Sequence, residues 1–336
     1  MIHSLKIFFL KKFRLIAKSI GKIEMKIIHS IKFLEWKKIK NYKNLKIEEN
    51  FFQFDEEKNE SYIPKKMFVC ISFFFKEKRF SQLKKICNEL INCANELEIF
   101  ILTNEINEEK IKLLNSEFKE INNYVNIFSV KDLGHPYLLT WSHYTFMKDK
   151  INDSSYTHFM YLEDDIFITK KNIIYWMKSR KLLKEYNLIP QFLRIEKNDN
   201  DSQFYYTDVI KKINLNKMPK VHDLKKKIAY SNILYPYQGC YFFDRDLMLE
   251  HLNENSSSPD FVSNKFAVEN FFIREKANIG LMYVNIPNGF FNRHVIPIIL
   301  NDKIPHDSCM IRHLGANYTN DNSSIFGKIN IKDIFV

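Results

Sequence analysis

Glycine is scarce in this sequence, seven among 336 residues, and none of them builds a Gly-x-Gly-x-x-Gly turn or a Gly-rich loop closed by Lys-Ser/Thr. Such loops cradle phosphates with their own backbone amides, so their absence argues against dinucleotide-binding and P-loop chemistry. Any phosphate bound here needs another positive partner. Cysteine is equally uninformative as a framework: Cys70, Cys87, Cys93, Cys240 and Cys309 fall at unrelated spacings without a Cys-x-x-Cys pair. An odd, scattered set argues against disulfide scaffolds and structural zinc, and reads as small core residues in a reducing compartment. Long apolar runs are missing from the first 46 residues, where the longest is Ile7 to Leu10, far below the ~18 residues of a membrane span. That core is also too short for a signal peptide, and no small-residue cleavage site follows it. Acid is almost absent there too. Thirteen Lys or Arg face only Glu24 and Glu35, an excess of eleven that equals the formal charge of +11 on the whole chain. The remaining residues therefore sum to zero, and a basic nucleic-acid-binding body is not expected.

What is present begins with that arm. Leu5, Phe8, Phe9, Phe13, Ile16, Ile20, Ile23, Ile27, Ile31 and Leu34 step by three or four residues, the period of one helix face. A basic amphipathic helix over residues 1–46 can lie on an anionic membrane, where each Lys or Arg contributes about 1 kcal/mol, or pack on the body or a partner. The expected location is cytoplasmic, peripheral at the inner face of a membrane. Residues 47–65 are charged and polar up to Pro64 and read as a linker.

The body then alternates. Met67 to Phe75 is an apolar run fit for the first strand of a buried parallel sheet, followed by a helical pattern through Phe80, Leu83, Ile86 and Leu90. Strands are expected at 97–102 and 125–130, helices at 106–118 and 138–151, and a fourth strand from Thr157 into Tyr161-Leu162-Glu163-Asp164-Asp165. Strands separated by helices of this length mean right-handed βαβ units, hence an α/β fold with helices flanking the sheet. Further on, a helix is expected at 172–186, a strand at 192–195, a polar excursion at 197–227, a helix at 262–278, a strand at 281–286 and an irregular tail from Pro287.

Glu163-Asp164-Asp165 is the most informative stretch. Carboxylates at 4 Å repel by roughly 4 kcal/mol per pair at an effective dielectric of ~20, so a positive partner is wanted. Mg²⁺ and Mn²⁺ take oxygen ligands, usually one or two carboxylates plus substrate phosphates. A solvated turn or helix cap is the plain alternative. The setting favours a ligand, because open α/β sheets bind at the carboxyl ends of their strands.

Placed after about four βα units, the triplet resembles the Asp-x-Asp type motif of metal-dependent nucleotide-sugar glycosyltransferases of the GT-A fold. The phrase His135-Pro136-Tyr137-Leu138-Leu139-Thr140-Trp141 is similar to one in uncharacterised bacterial members of a glycosyltransferase-like family. The resemblance covers roughly residues 67–320 and is strongest at 134–196; the domain is taken as 66–320, with 321–336 as a tail. It implies a GT-A (Rossmann-like) mixed sheet and Mn²⁺ or Mg²⁺ held by Asp165. Glu163 and Asp164 would contact donor ribose or the metal's water shell. It also implies a nucleotide-diphosphate sugar donor and a glycan or lipid-linked acceptor, as in polysaccharide biosynthesis. Glu269-Asn270-Phe271-Phe272-Ile273-Arg274 is similar to the Glu-Asp-x-x-x-x-Arg pattern of inverting members, making Glu269 the implied base; Asn270 departs from the usual Asp, and Glu275 is a rival. A late histidine often completes the metal shell in such enzymes, and His313 is the choice here, with His306 next.

Other residues carry two readings each. His135 could reach a phosphate or cap the following helix. Trp141 and Trp176 read as core, Asp244 as a helix N-cap, and Gly239 as a turn or a close approach to ligand. Arg194 and Glu196 could line the acceptor cleft or pair with each other. Two other classes stay open: a metal-dependent hydrolase of phosphoesters or nucleotide sugars, and a non-catalytic scaffold on a degenerate fold.

Overall fold

The computed structural model describes residues 2–48, 50–54, 57–225, 227–234, 236–259, 271–315 and 317–336, with side chains from residue 19 onward except 43, 57 and 58. The expected βαβ run is present. Strand β1 (Lys66–Phe73) leads to helix α2 (Phe80–Leu90), α1 being the N-terminal helix Ile2–Lys38. Strand β2 (Glu96–Thr103), helix α3 (Glu108–Glu117) and strand β3 (Val125–Ser129) follow, then α4 (His143–Lys150) and β4 (His158–Glu163). Each strand is apolar because both faces are covered; Met67 through Ile71 and Phe159 through Leu162 are buried without exception. The four pair in parallel in the order β4-β1-β2-β3, and β11 (Cys240–Asp244) closes the edge antiparallel to β4. Strand order therefore switches sides at β1, with β2 and β3 added on one side and β4 on the other. That is the crevice where such sheets take ligands, outside the carboxyl ends of the strands.

The second half differs from the sequence expectation. Residues 197–227 are no loose excursion, since β8 (Phe204–Tyr206) and β9 (Lys220–His222) form within them. No strand forms at 281–286, which is a turn-rich stretch, and the tail is not irregular. It supplies β12 (His294–Ile299), β13 (Ile304–Pro305), β14 (Met310–His313) and β15 (Ile329–Asn330). Between them lie β5 (Ile166–Phe167), β6 (Ile189–Pro190), β7 (Leu193–Lys197) and β10 (Ile228–Ser231). A second sheet runs β13-β12-β10-β9 with β6 beside β12, and a third runs β15-β8-β7-β14-β5. The third begins where the first ends: β4 turns through Glu163, Asp164 and Asp165 directly into β5. Helix α5 (Lys170–Leu183) starts at a capping box, Thr169 with Asn172, and buries Trp176 as expected.

The N-terminal segment is docked. His29 stacks on Phe291 with ring centroids 4.1 Å apart, the Trp36 indole donates to the Lys220 carbonyl at 2.7 Å, and Leu45 pairs with β9 through His222 at 3.0 Å. Trp36, Tyr42 and Leu45 are core residues. The stretch 47–65, expected as a linker, is covered as well: Phe51 is buried, Phe52 lies 4.4 Å from the His306 ring, and Lys178 donates to the Gln53 carbonyl at 3.4 Å. The aromatic residues among the charges decide its fate. Helix α1 nevertheless keeps one face open, with Ile20, Ile23, Ile27, Ile31 and Leu34 each more than half exposed. No described helix is long and apolar enough to cross a membrane. All five cysteines are free and buried.

The docking of α1 depends on Gly289, whose φ of +81° brings its Cα against the Trp36 backbone; an added Cβ would lie 2.6 Å from Trp36 Cα and N. Neither the backbone conformation nor the space suits a side chain. Gly289→Ala is expected to lower unfolding free energy by more than ~1 kcal/mol and to expose Trp36, read as a red shift of its fluorescence; an unchanged spectrum and melting curve would refute this contact.

Candidate functional site

The site is a corner between two sheets. Strand β4 carries Glu163 at the edge of the first sheet, opposite Ser72 on β1, and Asp164-Asp165 make the turn into β5. Pairing of β5 with β14 sets His313 opposite Ile166, and the Leu314 amide donates to the Asp165 carbonyl at 2.8 Å. Strand β7 runs parallel to β14 with Ile195 opposite Arg312, which carries Arg194 and Glu196 to the same place. From the other side, the turn after β1 delivers Arg79 just before α2. Three separate chain segments, the turn before α2, β7 and β14, thus converge on the three carboxylates.

Arg79 spans the two aspartates, with Nη2 2.9 Å from Asp165 Oδ2 and Nη1 3.1 Å from Asp164 Oδ2. The second contact is close but out of line for a hydrogen bond. His313 Nε2 lies 3.3 Å from Asp165 Oδ2, and its Nδ1 is 2.5 Å from Glu196 Oε1. Glu196 in turn accepts the backbone amides of Tyr318 and Thr319 at 3.0 and 2.9 Å through Oε2. Glu163 accepts from Tyr237 Oη at 3.0 Å and from Asn278 Nδ2 at 2.9 Å, and faces Arg194 at 3.9 Å. Arg194 is locked by both oxygens of Asp208, at 2.9 and 2.6 Å. The alternative that Arg194 and Glu196 pair with each other is therefore corrected: they stand on one strand but hold different partners.

The electrostatics follow from burial and neighbours. Burial opposes a charged His313, but hydrogen bonds to Asp165 and Glu196 outweigh it and lift the imidazole to about 9. Burial likewise raises Asp165, yet the His313 hydrogen bond and the charges of His313, Arg79 and Arg194 bring it down to about 2. Asp164 and Glu163 are both raised, by burial first and then by the Asp165 charge. Two carboxylate oxygens of the triplet lack a hydrogen-bond donor, the first being Asp164 Oδ2, with Arg79 3.1 Å away. The second, Asp165 Oδ1, is buried without any hydrogen-bond partner.

A hard divalent cation fits that donor set. An imidazole whose Nδ1 is held by a carboxylate presents Nε2 in the orientation that metal ligands use, beside the orphaned Asp165 oxygen. Among the described residues no three His, Cys, Asp or Glu side chains already form a metal cage, so ligand phosphates would have to complete the coordination, as is usual for Mg²⁺.

The other anticipated residues sit as follows. Glu269 and Asn270 lie outside the described residues, as does most of the helix expected at 262–278, of which Ile273–Lys276 is described as helical. Glu275, the rival base, accepts the Phe272 amide at 2.9 Å and so caps that helix. His135 takes the capping role, accepting the Tyr137 amide at 3.2 Å. Asp244 caps helix α6 (Arg245–Asn253) and Trp141 is core. His306 contacts Phe52, Phe54, Ser308 and Asp307. Sequence reasoning missed Arg79, Asp208, Tyr237 and Asn278. Arg79 had a signal, since Lys76-Glu77-Lys78-Arg79 is a basic turn at the carboxyl end of the first strand; the others had none.

No family model matches the sequence, and no curated protein matches it. Solved structures similar to this chain include 4-diphosphocytidyl-2C-methyl-D-erythritolsynthase from Anaerococcus prevotii DSM 20548, at 10% identity and a TM-score of 0.32, covering 60% of this chain and 80% of that one. GalNAc-T7 with UDP, GalNAc and Mn²⁺ matches at 12% identity and a TM-score of 0.41, covering 76% and 44%. The mannosyltransferase PcManGT from Pyrobaculum calidifontis, in complex with GDP-Man and Mn²⁺, matches at 7% and 0.31, covering 53% and 47%. The chain spans less than half of the latter two. At such scores the functional reading rests on the site's own geometry.

The charged His313 gives a test of that geometry. Its folded pKa of about 9 lies above the ordinary 6.5, so its stabilisation is fully present below pH 6.5 and is lost as pH rises through about 9. Wild-type protein should exceed His313→Gln in unfolding free energy by up to about 3 kcal/mol at pH 6, with the gap narrowing by pH 9.5 in urea titrations. A gap independent of pH would refute the ion pairs.

Proposed function

We propose that this chain is a metal-dependent glycosyltransferase that moves a sugar from a nucleotide-diphosphate donor to the hydroxyl of a glycan or lipid-linked acceptor. The observation that carries it is the buried, unpartnered Asp165 Oδ1 beside a carboxylate-held His313, at the point where strand order switches sides. Mn²⁺ or Mg²⁺, when bound, would offset the charge that builds on a leaving diphosphate. Asp165 and His313 are the residues to hold it, after His313 gives up its proton. Glu196 keeps the imidazole turned toward Asp165. Arg194, pinned by Asp208, offsets part of the upward pull of burial on Glu163, and Glu163 with Asp164 would orient donor ribose or bound water. Glu269 is the proposed base for the acceptor proton, with inversion at the anomeric carbon, on its sequence pattern. Arg274 and Asn278, downstream on the same segment, reach the Glu163 corner, which supports that choice.

Asp165→Asn should lose at least ~100-fold in turnover while keeping the wild-type far-UV circular dichroism spectrum, although its ligand-free melting temperature should fall because Arg79 and His313 lose a carboxylate partner. In the wild type, nucleoside diphosphates should raise the melting temperature only with Mn²⁺ present. Full activity in Asp165→Asn would reject the metal assignment. Donor hydrolysis unaffected by any acceptor would favour a hydrolase, and no response to any diphosphate would favour a scaffold.

The arm supports a peripheral location at an anionic membrane. Docking through His29, Phe33 and Trp36 leaves the Ile20-Ile23-Ile27-Ile31-Leu34 stripe outward, beside exposed Lys22 and Lys26. Removing all of residues 1–46 would strip core side chains, so the stripe itself is the target. Replacing Ile23, Ile27 and Ile31 together with Gln should weaken binding to phosphatidylglycerol-containing vesicles by about tenfold or more without changing the fold; undiminished sedimentation with vesicles would show that the stripe is not the contact.

A further inference from the structure

We infer that Arg79 is an internal counter-cation, occupying the seat beside Asp164 and Asp165 in the ligand-free protein and passing to a diphosphate oxygen when donor and metal arrive together. This rests on the metal-dependent reading above and extends it to a residue the sequence did not single out. The two arginines of the site are built differently. Arg194 is enclosed, with 4% of its side chain exposed, and both of its nitrogen contacts to Asp208 are short. It has no room to change partners. Arg79 is 25% exposed and covers the aspartates, themselves 8% and 14% exposed, from the solvent side. It extends from a single 3-10 turn, Glu77–Arg79, that joins β1 to α2. Its ion pairs are to the two aspartates. A guanidinium is always charged and its planar fork suits phosphate as well as carboxylate.

Charge balance then dictates the exchange. Asp165 Oδ2 already holds the Arg79 guanidinium at 2.9 Å, while Oδ1 has no hydrogen-bond partner. A dication entering alone would meet Arg79 at close range in a buried setting, where like charges repel strongly. A dication entering with a diphosphate brings its own anion, to which Arg79 can turn. Arg79 therefore opposes free metal and favours the metal-diphosphate pair, which makes binding of the two cooperative. The coupling is reciprocal: each ligand strengthens the other by the same factor.

The test is calorimetric titration of the full chain with Mn²⁺ alone, and with Mn²⁺ plus UDP or GDP, for wild type, Arg79→Gln and Arg79→Lys. Arg79→Gln should bind Mn²⁺ alone at least tenfold tighter than wild type and bind the nucleoside diphosphate with Mn²⁺ at least tenfold more weakly. Arg79→Lys, which keeps the charge but not the fork, should shift both affinities in the same directions by less, and it carries the test if Arg79→Gln does not fold. Mn²⁺ affinity unchanged or weakened in the variants, or diphosphate affinity unchanged, would overturn the inference. Asp165→Asn separates the two readings. If it abolishes Mn²⁺ binding while the Arg79 variants behave as wild type, the metal site stands and the role of Arg79 falls. If wild type binds no Mn²⁺ even with UDP or GDP, both fall.

Discussion

Crowded carboxylates held out of water need compensating charge, and the architecture around Asp165 is an answer to that need. Ionised side chains in a low-dielectric setting cost several kcal/mol each unless paired with good geometry. Here Glu163, Asp164, Asp165, Glu196 and Asp208 are met by Arg79, Arg194, Arg274 and a protonated His313. The four cations come from four separate places in the sequence, so the charges are compensated only when the first and third sheets meet. Pairing of β14 with β5 is the decisive step, because it carries His313 in.

The compensation is incomplete at two carboxylate oxygens on adjacent residues, Asp164 Oδ2 and Asp165 Oδ1, both buried without a hydrogen-bond donor. Buried polar groups are normally satisfied, and two idle acceptors at the carboxyl ends of the strands suit a ligand better than a plain ion-pair network. The raised Asp164 and Glu163 and the lowered Asp165 also differ strongly between neighbours in sequence, a separation expected where chemistry is done and less expected in a plain turn.

The legible part of the fold was the first sheet. Met67 to Phe73 is its clearest apolar run, and β1, β2 and β3 are each followed by a helix before the next strand. The acid triplet stood out because acid after an apolar strand breaks a local pattern, whereas His313 was named only through the resemblance. Among the later strands β7 was anticipated at 192–195, but β6, β9, β12, β13 and β15 were not, because they are two to six residues long and lean on partners far away in sequence. His294 to Ile299 even contains Pro297. Nor could local pattern reveal Asp208 or Asn278, whose roles arise from tertiary register alone. The stretch 47–65 misled because charge density suggested a spacer while Phe51, Phe52 and Phe54 had a surface to cover.

Glu196 grips the last turn of the site through the main-chain amides of Tyr318 and Thr319 rather than through their side chains. Recognition of that kind is indifferent to which residues stand at those two positions, proline excepted, because every other residue supplies the same N–H. The two positions are constrained by other contacts all the same, since the Tyr318 ring stacks on His313 with centroids 5.6 Å apart and the buried Thr319 hydroxyl donates to the Lys197 carbonyl at 3.4 Å. The acid that turns the imidazole thus also seats the ring that covers it.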